Sequence, residues 1–114
     1  MASYFRAFGF EVETASGVSE ALDRIRKASF DVVVSDLRLG PEEEEGGIAV
    51  LREAQRAGRP ILVLLTAYGS NSLRSRARAA GIHLIVDKPV SLETLLFAVR
   101  TLLGTGVGRP PGSS

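Results

Sequence analysis

The chain contains no cysteine, which excludes disulfides, thiolate metal sites and a cysteine nucleophile. It has little net charge: 14 Lys and Arg stand against 13 Asp and Glu. A formal charge of +1 provides no global field for nucleic acid or a membrane surface, so any electrostatic argument must be local. No apolar run reaches the length of a membrane span, and the opening Met-Ala-Ser-Tyr-Phe-Arg lacks the apolar core of a signal peptide. What remains is an ordinary globular composition, 45% hydrophobic and 24% charged, over 114 residues. That is enough for one core and not two, and the expectation is a single cytoplasmic domain.

The stretch that organises the chain is Phe30 to Gly40. Val32, Val33 and Val34 between polar residues read as a strand buried on both faces, as in the middle of a parallel sheet, with Asp36 at its carboxyl end. Ligands bind at that edge in open α/β sheets, so Asp36 is a functional candidate, although a carboxylate capping the following loop fits the same pattern. Ile61 to Thr66 and Ile82 to Val86 are further apolar runs, ending at Thr66 and just before Asp87-Lys88-Pro89. Phe10 to Thr14 alternates apolar and polar residues, the period of an edge strand with one wet face.

Helices are expected between these strands. Ser3 to Phe8, stopped by Gly9, reads as the last turns of a helix whose start is missing. Ser16 to Ala28, with Ser16 or Ser19 as cap, presents Val18, Ala21, Leu22 and Ile25 on one stripe. Ile48 to Ala57 ends at Gly58, and Asn71 to Ala80, capped by Ser70 or Asn71, ends at Gly81. The final helix follows Ser91. The run Glu42 to Glu45 between Gly40-Pro41 and Gly46-Gly47 reads as a solvated loop, with a role in drawing a cation toward Asp36 as the alternative. Arg74, Arg76 and Arg78 lack interleaved aromatics and read as a solvated or partner-facing surface rather than a nucleic-acid site. Residues 104–114, rich in Gly, Pro and Ser, are expected to be a flexible tail after a domain of residues 1–103.

The alternation of strand and helix implies a doubly wound parallel α/β sheet with helices on both faces. Asp36, Thr66 and Lys88 each end one of three successive apolar strands, so they should meet along one edge. A carboxylate, a hydroxyl and an ammonium suit a phosphoryl transfer in which Asp36 becomes an acyl phosphate and the other two stabilise the added negative charge. A structural Lys-Asp pair beside a strand-end threonine is the other reading of these residues alone.

Val-Val-Val-Ser-Asp-Leu-Arg-Leu, Leu-Thr-Ala-Tyr-Gly-Ser and Asp-Lys-Pro-Val, in this order from about Tyr4 to Leu103, resemble the receiver domain of bacterial two-component response regulators. The resemblance implies a flavodoxin-like receiver fold, with Asp36 as phosphoacceptor, Thr66 as the switch hydroxyl and Lys88 contacting the phosphoryl group. It implies that Mg²⁺ is held by Asp36 and the backbone carbonyl of Arg38, that Ala67 lines the site and that the Lys88-Pro89 bond is cis. The implied partner is a sensor histidine kinase or phosphotransfer protein, with at most self-phosphorylation and self-dephosphorylation as activity. Neither direct nucleic-acid binding nor membrane contact is expected.

Three departures from that family pattern stand out. The first strand, its terminal acidic pair and most of the first helix are missing, so the fold is expected to be N-terminally truncated to about four strands, with Mg²⁺ binding weakened or lost. The chain is therefore expected to be a fragment of a longer product and to form a homodimer, through its exposed sheet edge or through the last helix and strand. Ile85 stands where the family has a switching aromatic. The glutamate loop is longer and more acidic than usual. The leading function is a phosphoacceptor receiver impaired by the loss of the acidic pair. The alternative is a pseudo-receiver that acts only as an interaction or dimerisation module. A hydrolase using Asp36 would need a second acid or base, and His83, the only histidine, lies within the last strand, where a surface or core role is expected.

Overall fold

The structure is a computed structural model that describes residues 1–40, 44–67 and 69–105. The elements run α1 (Ala2–Ala7), α2 (Val18–Lys27), β1 (Val32–Asp36), α3 (Gly46–Gly58), β2 (Ile61–Thr66), α4 (Asn71–Ala79), β3 (Leu84–Asp87) and α5 (Leu92–Thr105). The three strands form one parallel sheet in the order β1-β2-β3. No helix among the described residues is long and apolar enough to cross a membrane.

The middle strand explains the layering. All six residues of β2 are buried, and its alternate side chains serve opposite faces. Leu62 and Leu64 join Ile25 of α2, Leu51 and Ala54 of α3, and Leu73 and Ala77 of α4. Ile61, Val63 and Leu65 join Phe5 of α1 with Leu95, Leu96 and Val99 of α5. A strand buried on both faces must be apolar throughout, which is why Ile-Leu-Val-Leu-Leu shows no alternation. Each Leu or Val so buried contributes about 1.5–3 kcal/mol.

Helix limits follow local chemistry. Ser70 caps α4 by accepting a 3.0 Å hydrogen bond from the Leu73 amide, and Ser91 accepts one of 3.0 Å from the Thr94 amide at the start of α5. The expected Ser cap of α2 is absent: Gly17 occupies the N-cap without a side-chain bond. The Ser16 hydroxyl instead donates to Glu20 at 3.0 Å. At the end of α1 the Phe10 amide donates to the Phe5 carbonyl at 3.2 Å, a closure that turns the chain through Gly9 at φ 93°.

The sheet departs from the sequence expectation in two linked ways. It has three strands, not four, because Phe10–Thr14 forms no strand despite its alternating pattern. β1 consequently lies at an edge, and Val32, Val33 and Val34 are half-buried rather than enclosed. A strand needs a hydrogen-bonding neighbour to exist, and among the described residues nothing pairs with the outer side of β1. The last helix also runs two residues into the stretch expected to begin the tail, reaching Thr105. The remainder of that tail, 106–114, and residues 41–43 of the acidic loop lie outside the described residues.

Candidate functional site

The carboxyl edge of the sheet carries the site. Register sets Asp36 opposite Leu65 on β2, and Thr66 opposite Asp87 on β3. Two backbone bonds extend the ladder past the strand ends. The Leu37 amide donates to the Leu65 carbonyl at 2.8 Å, and the Lys88 amide donates to the Thr66 carbonyl at 2.7 Å. These bonds fix the bases of the Asp36, Thr66 and Lys88 side chains on neighbouring strand ends.

Two of those side chains meet directly: Lys88 Nζ forms an ion pair with Asp36 Oδ1. Both are half-exposed, 44% and 47%, so the pair is open to solvent. Thr66 is 3% exposed and lies between them in strand order. The Lys88-Pro89 peptide is cis. Arg38 follows one residue after the strand-end turn and its guanidinium Nε donates to the Gly40 carbonyl at 3.3 Å. Ala67 is exposed at the same edge.

The sequence alone did not single out the residues that hold Asp36 in place. The Ser35 hydroxyl donates to the Asp36 carbonyl at 2.8 Å. Gly47, in the first turn of α3, donates its amide to the Leu37 carbonyl at 2.8 Å, and a Cβ built on Gly47 would stand 2.1 Å from the Asp36 carbonyl oxygen. Only glycine lets the helix approach the strand end so closely. A Gly-Gly pair opening a helix was the available signal; in the sequence it reads equally well as loop punctuation.

A second group of charges braces the site from α4. Arg74 pairs with Asp87 at 3.0 Å, and Arg76 pairs with Glu45. The Glu45 carboxylate holds the Arg76 guanidinium above its usual pKa. Two of the three arginines read as a solvated or partner-facing surface are thus engaged within the chain, and one end of the glutamate run is tied to α4 rather than aimed at Asp36.

His83 lies just outside β3. Its amide donates to the Leu62 carbonyl at 3.0 Å, and its ring Nδ1 accepts from the Leu62 amide at 2.9 Å, substituting for a strand carbonyl. Desolvation lowers its pKa. This structural role uses the ring nitrogen that faces β2.

For Mg²⁺, Asp36 is a carboxylate at this edge that could serve as a ligand. That ion is octahedral and usually takes one or two carboxylates together with water and phosphate oxygens. Among the described residues no group of three or more His, Cys, Asp or Glu could hold a metal. Asp36 is paired with Lys88 and Asp87 with Arg74.

The family model "Response regulator receiver domain" matches residues 1–100. The chain belongs to the response regulator receiver domain family. It is a receiver domain rather than a classical enzyme. Transcriptional regulatory protein GlrR of Escherichia coli K12 is 32% identical over 93 residues, covering 80% of this chain and 20% of GlrR. The chain thus spans about a fifth of the length of that relative. Among solved structures, a CheY-like response regulator receiver domain protein from Methanospirillum hungatei JF-1 superposes with a TM-score of 0.82 at 25% identity, covering 91% of this chain and 82% of that one. The receiver domain of a sensor histidine kinase from Pseudomonas aeruginosa PAO1, solved with magnesium coordinated in its active-site cleft, gives a TM-score of 0.74 at 21% identity, covering 90% and 84%. At that identity the likeness concerns the fold alone.

Proposed function

We propose that the chain is the phosphoacceptor of a cytoplasmic two-component phosphorelay, accepting a phosphoryl group on Asp36 from a sensor histidine kinase or a phosphotransfer protein. The observation that carries this reading is the half-exposed Asp36–Lys88 pair at the carboxyl edge of the sheet, in a chain of the receiver family. One Asp36 carboxylate oxygen attacks phosphorus, the bond from phosphorus to the donor's leaving atom breaks, and the leaving group departs with the electron pair. Lys88 already neutralises the carboxylate and is placed to neutralise the phosphoryl oxygens that replace it. Thr66 contributes the hydroxyl to the same edge. Magnesium, if bound, would supply positive charge to the phosphoryl oxygens, and the Pseudomonas neighbour holds it in its active-site cleft. Here Asp36 and the Arg38 carbonyl are the ligands proposed for it. Because they form only a partial set, we propose weakened magnesium affinity and impaired phosphorylation, and no step above depends on the ion.

A second reading, a phosphorylation-independent interaction module that pairs with another copy through α5 and β3 or through the sheet edge, is favoured by the lack of an acidic cluster among the described residues. Intact-mass measurement after incubation with acetyl phosphate and Mg²⁺ separates the two. A phosphoryl adduct on the parent chain that is absent from Asp36→Ala supports the phosphoacceptor. No adduct on the parent, or equal adducts on both, overturns it.

A further inference from the structure

Asp87 and Lys88 are neighbours in sequence with opposite charges, yet each is paired elsewhere. Lys88 Nζ pairs with Asp36 on β1, and Asp87 Oδ2 accepts from Arg74 Nη2 of α4 at 3.0 Å. Strand alternation separates the two side chains. Ile85 packs with the cluster that includes α4, and Val86 with the one that includes α5. Two residues on from Ile85, Asp87 projects toward α4, while Lys88 lies beyond the last residue of β3.

Arg74 is delivered to Asp87 by the first turn of α4. Its amide donates to the Ser70 carbonyl at 2.9 Å, and the Ser70 hydroxyl caps the helix through the Leu73 amide at 3.0 Å, so the turn is fixed before the side chain extends. Gly69, one residue before the cap, closes over the pair. A Cβ built there would stand 2.6 Å from Asp87 Oδ1 and 2.9 Å from Arg74 Nη2. One carboxylate oxygen of Asp87 is thus bonded to Arg74, and the other faces Gly69.

The pairing of Asp87 bears on Asp36 through Lys88. A lysine ammonium is a compact charge on a flexible four-carbon stem. The 2.7 Å bond from the Lys88 amide to the Thr66 carbonyl fixes the base of that stem and leaves the ammonium to choose its carboxylate. Asp87, one peptide bond away, is the competitor. Burial commits neither pair: Arg74 and Asp87 are 41% and 55% exposed, and exposed ion pairs are weak enough to exchange partners. What commits Lys88 to Asp36 is that Arg74 already occupies the alternative. A guanidinium suits that task, being always charged and more weakly hydrated than an ammonium.

We propose that Arg74 is a positioning residue for phosphoryl acceptance: by holding the Asp87 carboxylate, it leaves the Lys88 ammonium to Asp36 and to the phosphoryl oxygens that arrive there. The effect on phosphoryl transfer rests on the phosphoacceptor reading above; the choice of carboxylate by Lys88 does not. A bridge that only fastened α4 to β3 would be broken equally from either side. Here the two sides differ, because losing Arg74 frees a competitor and losing Asp87 removes it.

The test uses the full chain with Arg74→Gln, Asp87→Asn and both together. The readouts are the Lys88 Nζ nitrogen chemical shift at one fixed pH and the initial rate of acetyl phosphate adduct formation with Mg²⁺. With Arg74 present, Asp36→Asn should shift the Lys88 signal and Asp87→Asn should move it far less; with Arg74→Gln in place, the effect of Asp87→Asn should grow to match or exceed that of Asp36→Asn. The adduct rate should fall about threefold or more in Arg74→Gln, the scale an exposed ion pair sets, and recover to the parent rate in the double variant. Asp87→Asn alone should be no slower than the parent. Equal losses in the two single variants without recovery in the double, or a large loss of thermal stability in Arg74→Gln, would make the pair a structural brace and overturn the proposal. So would a Lys88 signal as indifferent to Asp87 without Arg74 as with it. A parent chain that forms no adduct would overturn the phosphoacceptor reading and with it the effect on transfer, while the Lys88 signal would still decide whether Arg74 governs the partner of Lys88.

Discussion

Lys88 and Asp36 come from the ends of β3 and β1, the two outer strands, and their side chains meet across the end of β2. An ion pair this open to solvent contributes little to folding, on the order of 0–1 kcal/mol. Lys88→Met should therefore leave the thermal midpoint within a few degrees of the parent while abolishing or strongly reducing the acetyl phosphate adduct in intact-mass spectra. A large loss of stability together with the loss of the adduct would mean that Lys88 acts chiefly as a structural tether.

Gly47 tests how tightly α3 is docked on β1. Its Cβ would fall 2.1 Å from the Asp36 carbonyl oxygen and 2.9 Å from the Leu37 Cα, both backbone atoms that cannot swing aside. Gly47→Ala should cost about 1–3 kcal/mol in chemical denaturation, the usual range for forced overpacking. Gly58, at the other end of α3, has nothing within 4 Å of its hypothetical Cβ, and Gly58→Ala should be neutral or stabilise by up to about 1 kcal/mol. If the two substitutions had equal effects, the close approach at Gly47 would not be the cause.

The history of Phe10–Thr14 and Val32–Val34 shows what a sequence can convey about this fold. β2, β3 and the intervening helices were legible because their signals are local: a continuous apolar run, a helical stripe, a serine cap. Asp36, Thr66 and Lys88 were legible as a set because each ends such a run. Whether an alternating segment becomes a strand is a non-local matter, decided by the presence of a neighbour to hydrogen-bond with. Phe10–Thr14 has the pattern without the neighbour, and the valines of β1 have the composition of a central strand at an open edge. The pairings of Arg74 with Asp87 and Arg76 with Glu45 were illegible for a similar reason. They join surface charges far apart in sequence, whose partners depend on how α4 lies over the sheet.

His83 gives the chain a pH dependence with a definite sign. Desolvation lowers its folded-state pKa from the ordinary 6.5, so the unfolded chain takes up a proton more readily. Between the unfolded and folded values the unfolded state binds more protons, and stability rises with pH. The contribution is fully present above about pH 6.5 and is lost as pH falls from there through the folded value. Protonation also removes the Nδ1 acceptor used by the Leu62 amide. Glu20, lowered by the Ser16 hydroxyl and then by Arg24, acts only further down, below its ordinary 4.5. Urea denaturation at pH 7.5, 6.0 and 5.0 should show a falling midpoint, and His83→Asn should flatten that trend. An unchanged slope in the variant would assign the dependence to other groups.

Helix α5 has a packed side and an exposed one. Leu95 is 1% exposed and Phe97 is 73% exposed, although both are large apolar side chains two residues apart. Burial of Leu95 against Phe5, Val63 and Val99 makes it a core residue, and Leu95→Ala should cost about 2–5 kcal/mol, including the cavity left behind. Phe97 contacts solvent over most of its surface, so Phe97→Ser should change unfolding by about 0.5 kcal/mol or less, as for other surface substitutions. If α5 forms a homodimer surface, the same substitution should shift sedimentation velocity profiles of the parent chain toward monomer at equal concentration. A parent chain that sediments as a monomer at high concentration, with Phe97→Ser indistinguishable from it, would remove α5 as a self-association face and leave Phe97 free for a different partner.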